Sequence, residues 1–339
     1  MNSSVPMIDP ISRLLRERDV LIADGAMGTN LFALGLQNGA PGELWNVEQP
    51  DSVRSVYRGF VDSGSDIILT NTFGANRFRF ALHKLQGRVR ELNMAATELA
   101  RAVADGAGRP VIVAGAMGPT GDVLEPLGPR TSAEAEEAFH EQAEALRDGG
   151  ADIAWIETMF DDNELEAAVR GAIRAGLPFV ATMTFDTGGH TMMGVRPIDA
   201  MRRSKGLPGK PLAFGANCGV GPAQLLDSVL GLAQGAAAED IIVAKSNCGL
   251  PMMGDDMKVR YNGTPEIMAA YAKLARDAGA RIIGGCCGTT PEHVRAMAEA
   301  LASSSKEAAP SYEKIERALG PVRKNTTQAG TSRRTARSM

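Results

Sequence analysis

The sequence predicts an α/β chain folded as a single (β/α)8 TIM barrel, followed by a flexible basic C-terminal tail. Three observations carry this reading. Eight short runs rich in Val, Ile and Ala recur along the 339 residues. Stretches of helical period separate them. The glycine spacing that a doubly wound nucleotide-binding sheet needs is missing, because Gly25-Ala26-Met27-Gly28 does not match G-x-G-x-x-G.

The predicted strands cover residues 20–25, 66–71, 111–115, 152–157, 179–184, 212–218, 241–245 and 281–287. Near-continuous apolar runs of this length suit parallel strands buried on both faces. Ala-rich helical stretches lie at 52–63, 89–104, 132–147, 164–175, 222–233, 265–278 and 291–302, with the least marked period at 194–205. Their ends carry capping chemistry. Thr131 with Glu134 fits a capping box, and Thr264-Pro265 and Thr290-Pro291 read as an N-cap followed by Pro in the first turn. Gly64, Gly149 and Gly279 follow three of the helices, where a left-handed C-cap costs little. The predicted layout is a lead-in over 1–17, the barrel over 18–304 and an extension over 305–339. A further short helix is expected at 312–319, and a mobile tail from Pro321, where no acidic residue follows.

A net charge of −4 gives no basic face for nucleic acid. No run approaches the roughly 18 consecutive apolar residues of a membrane span. Met1 to Pro10 lacks an apolar signal core, so a cytoplasmic, reducing setting is expected. Four cysteines in such a setting point to metal binding or catalysis rather than to disulfides.

In the barrel, Cys218 ends the sixth strand, Cys248 follows the seventh, and Cys286 and Cys287 end the eighth. All four therefore face the C-terminal rim, where barrels of this kind carry their chemistry. Any single cysteine reads better as a small buried hydrophobe. Cys218, Cys286 and Cys287 together read better as a thiolate set for Zn²⁺, with an open fourth position. Cys248 reads as a fourth ligand, a rim residue or a packing residue. Three thiolates make zinc a weak activator of water and suit a substrate thiol instead, so alkyl transfer to sulfur is the expected chemistry. Hydrolase elements are absent: there is no H-E-x-x-H and no G-x-S-x-G. His83, His140 and His190 fall in helical or loop positions, and His293 is expected at the surface of the last barrel helix.

Other rim positions suggest an amino acid substrate. Asp24 and Glu157 end strands and can hold an ammonium, while the turn Gly25-Ala26-Met27-Gly28-Thr29 offers backbone amides to a carboxylate. Asn71 and Thr72 end the second strand. Trp45 and Phe73 are candidates for an apolar or cation-binding wall.

With these residues in view, the chain resembles the homocysteine S-methyltransferase family. That family includes betaine–homocysteine methyltransferases and the homocysteine-binding module of cobalamin-dependent methionine synthase. The resemblance rests on Asp24-Gly25-Ala26-Met27-Gly28-Thr29, Thr70-Asn71-Thr72-Phe73, Gly118-Pro119-Thr120-Gly121, Ile156-Glu157-Thr158, Asn217-Cys218-Gly219 and the run from Gly284-Gly285-Cys286-Cys287-Gly288 to Thr289-Thr290-Pro291. It spans residues 18–302 or so, and it implies a (β/α)8 barrel. It also implies zinc held by Cys218, Cys286 and Cys287, and the homocysteine amino group held by Asp24 and Glu157.

The methyl donor is expected to be glycine betaine or a related onium compound, since Glu43-Leu44-Trp45 is similar to the betaine-using relatives. Gly74 and Thr158 depart from the animal betaine enzymes, which carry aromatic residues there. The Ile-Glu-Thr and Cys-Gly-Thr-Thr-Pro stretches look more like the synthase module. Two other readings therefore stand beside the first. One is a stand-alone homocysteine-activating module of a split synthase, partnered by a cobalamin protein. The other is a non-catalytic zinc-binding or subunit-interaction protein, against which the combined Asp24, Glu157 and cysteine set argues. The segment from Lys306 is a candidate for homo-oligomer contacts.

Overall fold

The computed structural model describes residues 9–253 and 259–322. Ten strands follow one another among the described residues: β1 (Leu21–Ile22), β2 (Ile67–Leu69), β3 (Ile112–Met117), β4 (Ile153–Met159), β5 (Phe179–Met183), β6 (Ala213–Cys218), β7 (Ile242–Ser246), β8 (Pro251–Met253), β9 (Val259–Tyr261) and β10 (Ala280–Gly285). Eight of them form one parallel sheet in the order β1-β10-β7-β6-β5-β4-β3-β2. A parallel bridge between Ala23 and Ile67 joins its two ends, which closes the barrel. All eight predicted strands are found. The antiparallel hairpin β8–β9 between β7 and the next helix is an addition, too short to show a period in the sequence.

Alternation along each strand divides the apolar residues in two. Leu21, Ile67, Leu69, Ile112, Ala114, Ile153, Trp155, Val180, Val243 and Ile282 point inward and fill the barrel. Ile11, Leu14 and Leu15, in and just after the helix Pro10–Leu14, plug its N-terminal end; this helix lies within the segment predicted as the lead-in. Asp9 starts that helix by accepting the Ser12 amide at 2.8 Å. The outward residues meet helix residues such as Phe60, Phe139, Val229, Tyr271 and Met297 in a second, larger cluster. Burial of each such side chain contributes about 1.5–3 kcal/mol. Every connection from a strand's C-terminal end to its helix thus emerges on one face, opposite the plug.

The predicted helices appear with ends shifted by one or two residues in most cases, among them Pro50–Asp62, Val89–Asp105, Ser132–Asp148 and Pro265–Asp277. Thr131 and Glu134 form the expected capping box, each side chain taking the other's amide. Gly64 and Gly279 take left-handed φ values of 102° and 109° after their helices. Gly149 does not; the left-handed residue there is Gly150, because one further residue stays helical. Tyr312–Leu319 is helical and packs on the barrel through buried Ile315, while the Tyr312 hydroxyl donates to Asp227 at 2.6 Å. Residues 1–8 of the lead-in and 323–339 of the predicted tail lie outside the described residues. No helix among the described residues is long and apolar enough to cross a membrane.

Candidate active site

β7 lies between β6 and β10, and Ser246 is in register with Cys218 on one side and Gly285 on the other. The two cysteine-bearing segments therefore flank a single strand end. They close over it: the Sγ atoms of Cys218, Cys286 and Cys287 all lie within 4.8 Å of one another, and no other metal-competent cluster occurs among the described residues. A small residue at 246, wholly buried, leaves room for that meeting.

The backbone that presents the thiols is tightly tied. Cys218 adopts a left-handed φ of 65°, an unfavourable conformation for a side chain that costs about 1–2 kcal/mol. Asn247 donates from Nδ2 to the Gly219 carbonyl and accepts the Cys287 amide at Oδ1 (3.0 Å), linking both sides of the cluster. The Cys286 amide donates to Ser246 O at 2.6 Å, and the Cys248 amide to Cys287 O at 2.9 Å. Gly288 follows at φ 79°, and a Cβ there would stand 2.3 Å from the ring of Tyr261 at the end of the hairpin. Only glycine fits that turn.

Asn217 supports the cluster from the other side. Its Oδ1 accepts the Thr158 amide (2.8 Å) and the Thr182 hydroxyl (2.7 Å), and its Nδ2 donates to Thr158 Oγ1 (2.7 Å) and faces Cys286 Sγ at 3.9 Å. Thr158 is thereby held at a left-handed φ of 63°. Such outer contacts orient metal ligands and tune their basicity.

Cys248 stands apart. It is buried, and its thiol donates to Gly263 O at 3.3 Å, outside the three-sulfur cluster. Of the readings open in the sequence, packing residue is the one the structure supports.

Mutual hydrogen bonds, crowding of like charge and burial hold all three clustered thiols above their ordinary range, Cys218 and Cys287 to about 12. Three adjacent sulfurs cannot all ionise without a cation among them. A soft tetrahedral ion such as Zn²⁺ answers that need and matches the donor set. The cluster is a zinc site.

The carboxylates sit beside it. Glu157 is buried at the end of β4, and among the described residues none donates a hydrogen bond to its carboxylate. Burial pushes its pKa up to about 7, with nearby Lys245 pulling it down and Asp24 pushing it up. Asp24, also buried, is already engaged. Its Oδ2 accepts the Leu69 amide at 2.7 Å, and its Oδ1 pairs with Lys245 Nζ at 2.6 Å. Lys245 is not among the residues that the sequence points to; a lone lysine inside the apolar run 241–245 is its one signal. Burial works against its charge, but Asp24 and Glu157 outweigh this and raise its pKa.

The first turn lies against the cysteine loop. The Ala26 amide donates to Thr289 O at 3.1 Å, so it is not open to a ligand. Gly25 carries the chain past Thr289, Thr29 Oγ1 accepts the Gly288 amide at 3.3 Å, and Asn30 Nδ2 reaches Thr289 O at 3.0 Å. Met27 opens the helix Met27–Ala33 with no side-chain cap before it.

Asn71 gives both side-chain protons to its neighbours, Gly42 O and Asn46 Oδ1, which fixes the 42–46 segment carrying Trp45 to the end of β2. Thr72 is buried and donates to Ala116 O at 2.7 Å. Trp45 packs partly buried on the main core, and Phe73 is 37% exposed with the Arg79 guanidinium 5.8 Å from its ring. His293 is not a surface residue. Its Nδ1 accepts the Thr290 amide at 3.2 Å and its Nε2 faces Gly263 O, because the third helical position turns back on the N-cap.

A closed parallel barrel with three convergent thiols and buried carboxylates at its C-terminal mouth defines a metal-dependent enzyme of the TIM-barrel class. The family model described as homocysteine S-methyltransferase matches residues 21–301, and the chain belongs to that family. It is 35% identical to methionine synthase of Mycobacterium tuberculosis over 311 residues, 87% of this chain and 26% of that protein. It is 32% identical to methionine synthase of Mycobacterium leprae over 310 residues, 87% of this chain and 25% of that one. The chain thus spans about a quarter of the length of these curated relatives. Among solved structures, the metallated form of the homocysteine methyltransferase MmuM from Escherichia coli superposes with a TM-score of 0.72 at 26% identity, covering 87% of this chain and all of that one.

Proposed function

We propose that the chain transfers a methyl group to the thiol of homocysteine, forming methionine, with glycine betaine or a related onium compound as donor. The observation that carries this reading is the three-sulfur cluster beside a buried Glu157 whose carboxylate has no hydrogen-bond donor among the described residues, in one barrel mouth. Zinc bound there lowers the pKa of a substrate thiol while the anionic ligand set leaves its sulfur electron-rich.

Cys218, Cys286 and Cys287 hold the metal. Glu157 accepts the substrate ammonium, replacing the hydrogen bonds its carboxylate lacks, and Asp24 adds negative charge next to it. The uncapped first turn at Met27 to Thr29 presents backbone amides to the substrate carboxylate. Trp45 and Phe73 are placed on segments stitched together at the end of β2, and aromatic faces attract quaternary ammonium groups. With the thiol proton released to solvent, the carbon–sulfur bond forms in line as the methyl group leaves the donor's onium centre, the demethylated donor departs without that charge, and holding both partners in that line supplies much of the rate.

A second reading has its own support: the curated relatives are about four times longer than the matched region, as expected if this barrel acts as one module of a cobalamin-dependent system. A donor panel decides. Zinc-loaded protein is incubated with homocysteine and, separately, glycine betaine, a methylated sulfonium or a methylcobalamin-carrying protein, and methionine is measured by mass spectrometry. Turnover with an onium compound and purified chain alone supports the first reading; turnover only with the cobalamin protein replaces it with the second. Cys286→Ala is expected to lose zinc and turnover together. An active, metal-free variant would overturn both.

A further inference from the structure

Lys245 is placed where a lysine is rarely kept. It follows inward-facing Val243 by two residues on β7, so its side chain enters the barrel, where it is 1% exposed. Its Nζ stands 2.6 Å from Asp24 Oδ1 and 5.7 Å from the centre of the Trp155 ring. Asp24 is itself fixed by the Leu69 amide on its other oxygen, so the pair is a rigid post rather than a mobile contact. An ammonium carries three protons. Two have acceptors, Asp24 Oδ1 and, more distantly at 3.5 Å, Asp24 O; among the described residues no other atom accepts from Nζ.

The groups that act on this ammonium are otherwise acidic. Asp24 lies against it, and the charges of Glu157 and Cys286 also reach Lys245. An amino acid bringing its own carboxylate into this space meets strong repulsion unless a cation offsets it. The first-turn amides supply only partial charge, and the Ala26 amide is already committed.

We infer that Lys245 is the charged half of a clamp for the substrate's amino acid end: Lys245 adds a full positive charge to the Met27 to Thr29 amides that take the homocysteine carboxylate, Glu157 takes the ammonium, and Asp24 positions Lys245. This rests on the homocysteine reading above and extends it to substrate selection. The clamp selects an α-amino acid thiol over a simple aminothiol.

The test is calorimetric binding to zinc-loaded protein of two thiols, homocysteine and 3-aminopropane-1-thiol, which keeps the thiol and ammonium but lacks the carboxylate. Wild type is expected to prefer homocysteine by about tenfold or more. Lys245→Met should weaken homocysteine by about 10–100-fold and the aminothiol by less than about threefold, with Lys245→Arg restoring part of the preference. Since Lys245→Met strands the buried Asp24 charge, the double variant Asp24→Asn/Lys245→Met, which removes both members of that pair, is measured alongside and should show the same collapse of preference. Equal losses for both thiols, or a preserved preference, overturn the clamp while leaving homocysteine binding intact. Wild type that binds neither thiol overturns the homocysteine reading and the clamp with it.

Discussion

Asn247 accepts the backbone amide of Cys287 at 3.0 Å while its own amide group donates to Gly219, one residue beyond Cys218. One side chain at the end of β7 thus spans the two segments that supply the zinc ligands. Asn-Cys-Gly occurs at both 217–219 and 247–249, and what the two copies share is the asparagine that ties the cluster's backbone, since only Cys218 of the two cysteines joins the cluster. Asn247→Ala is expected to leave the fold intact and to weaken zinc by about 10–100-fold, read by competition with a chromogenic chelator. Wild-type zinc affinity in that variant would mean that the cluster is held by its strands alone.

Glu157 makes the site sensitive to pH. Its folded-state pKa is raised, from an ordinary 4.5 to about 7. Between those values the folded chain keeps a proton that the unfolded chain has lost, so this group's contribution to stability falls as pH rises through the window. The size is ~3 kcal/mol at most. Glu157→Gln should flatten the fall in urea midpoint between pH 5 and pH 8 relative to wild type. Ammonium binding needs the carboxylate, so homocysteine affinity should strengthen as pH rises through 7 in wild type and lose that inflection in Glu157→Gln. An unchanged profile in the variant would remove Glu157 from the substrate site.

Cys248 is a packing residue, its thiol turned to Gly263 rather than to the cluster. Cys248→Ala should keep one zinc per chain by elemental analysis and lose about 1 kcal/mol of stability to the missing contacts. A metal-free variant would make it a fourth ligand.

Much of this molecule is legible in its sequence, for reasons that vary by residue. The eight barrel strands show because strands buried on both faces read as unbroken apolar runs, and the helices because Thr131, Thr264 and the prolines mark where they start. The zinc cysteines show because strand ends in a barrel converge whatever their separation in the chain. Lys245 is hidden by the same logic: inside an apolar run it reads as the strand's last polar residue, and only the closed barrel reveals that it meets Asp24, 221 residues away. The hairpin β8–β9, with Tyr261 over Gly288, is too short to announce itself. Gly149 and His293 depart from expectation through local shifts, a helix one residue longer and a third-position side chain turned inward.

Zinc K-edge X-ray absorption on the zinc-loaded chain, recorded with and without homocysteine, counts the sulfurs at the metal. Three sulfur neighbours are expected from Cys218, Cys286 and Cys287, and a fourth when homocysteine is added. Fewer than three sulfurs in the resting protein, or a sulfur count that homocysteine leaves unchanged, would contradict this assignment.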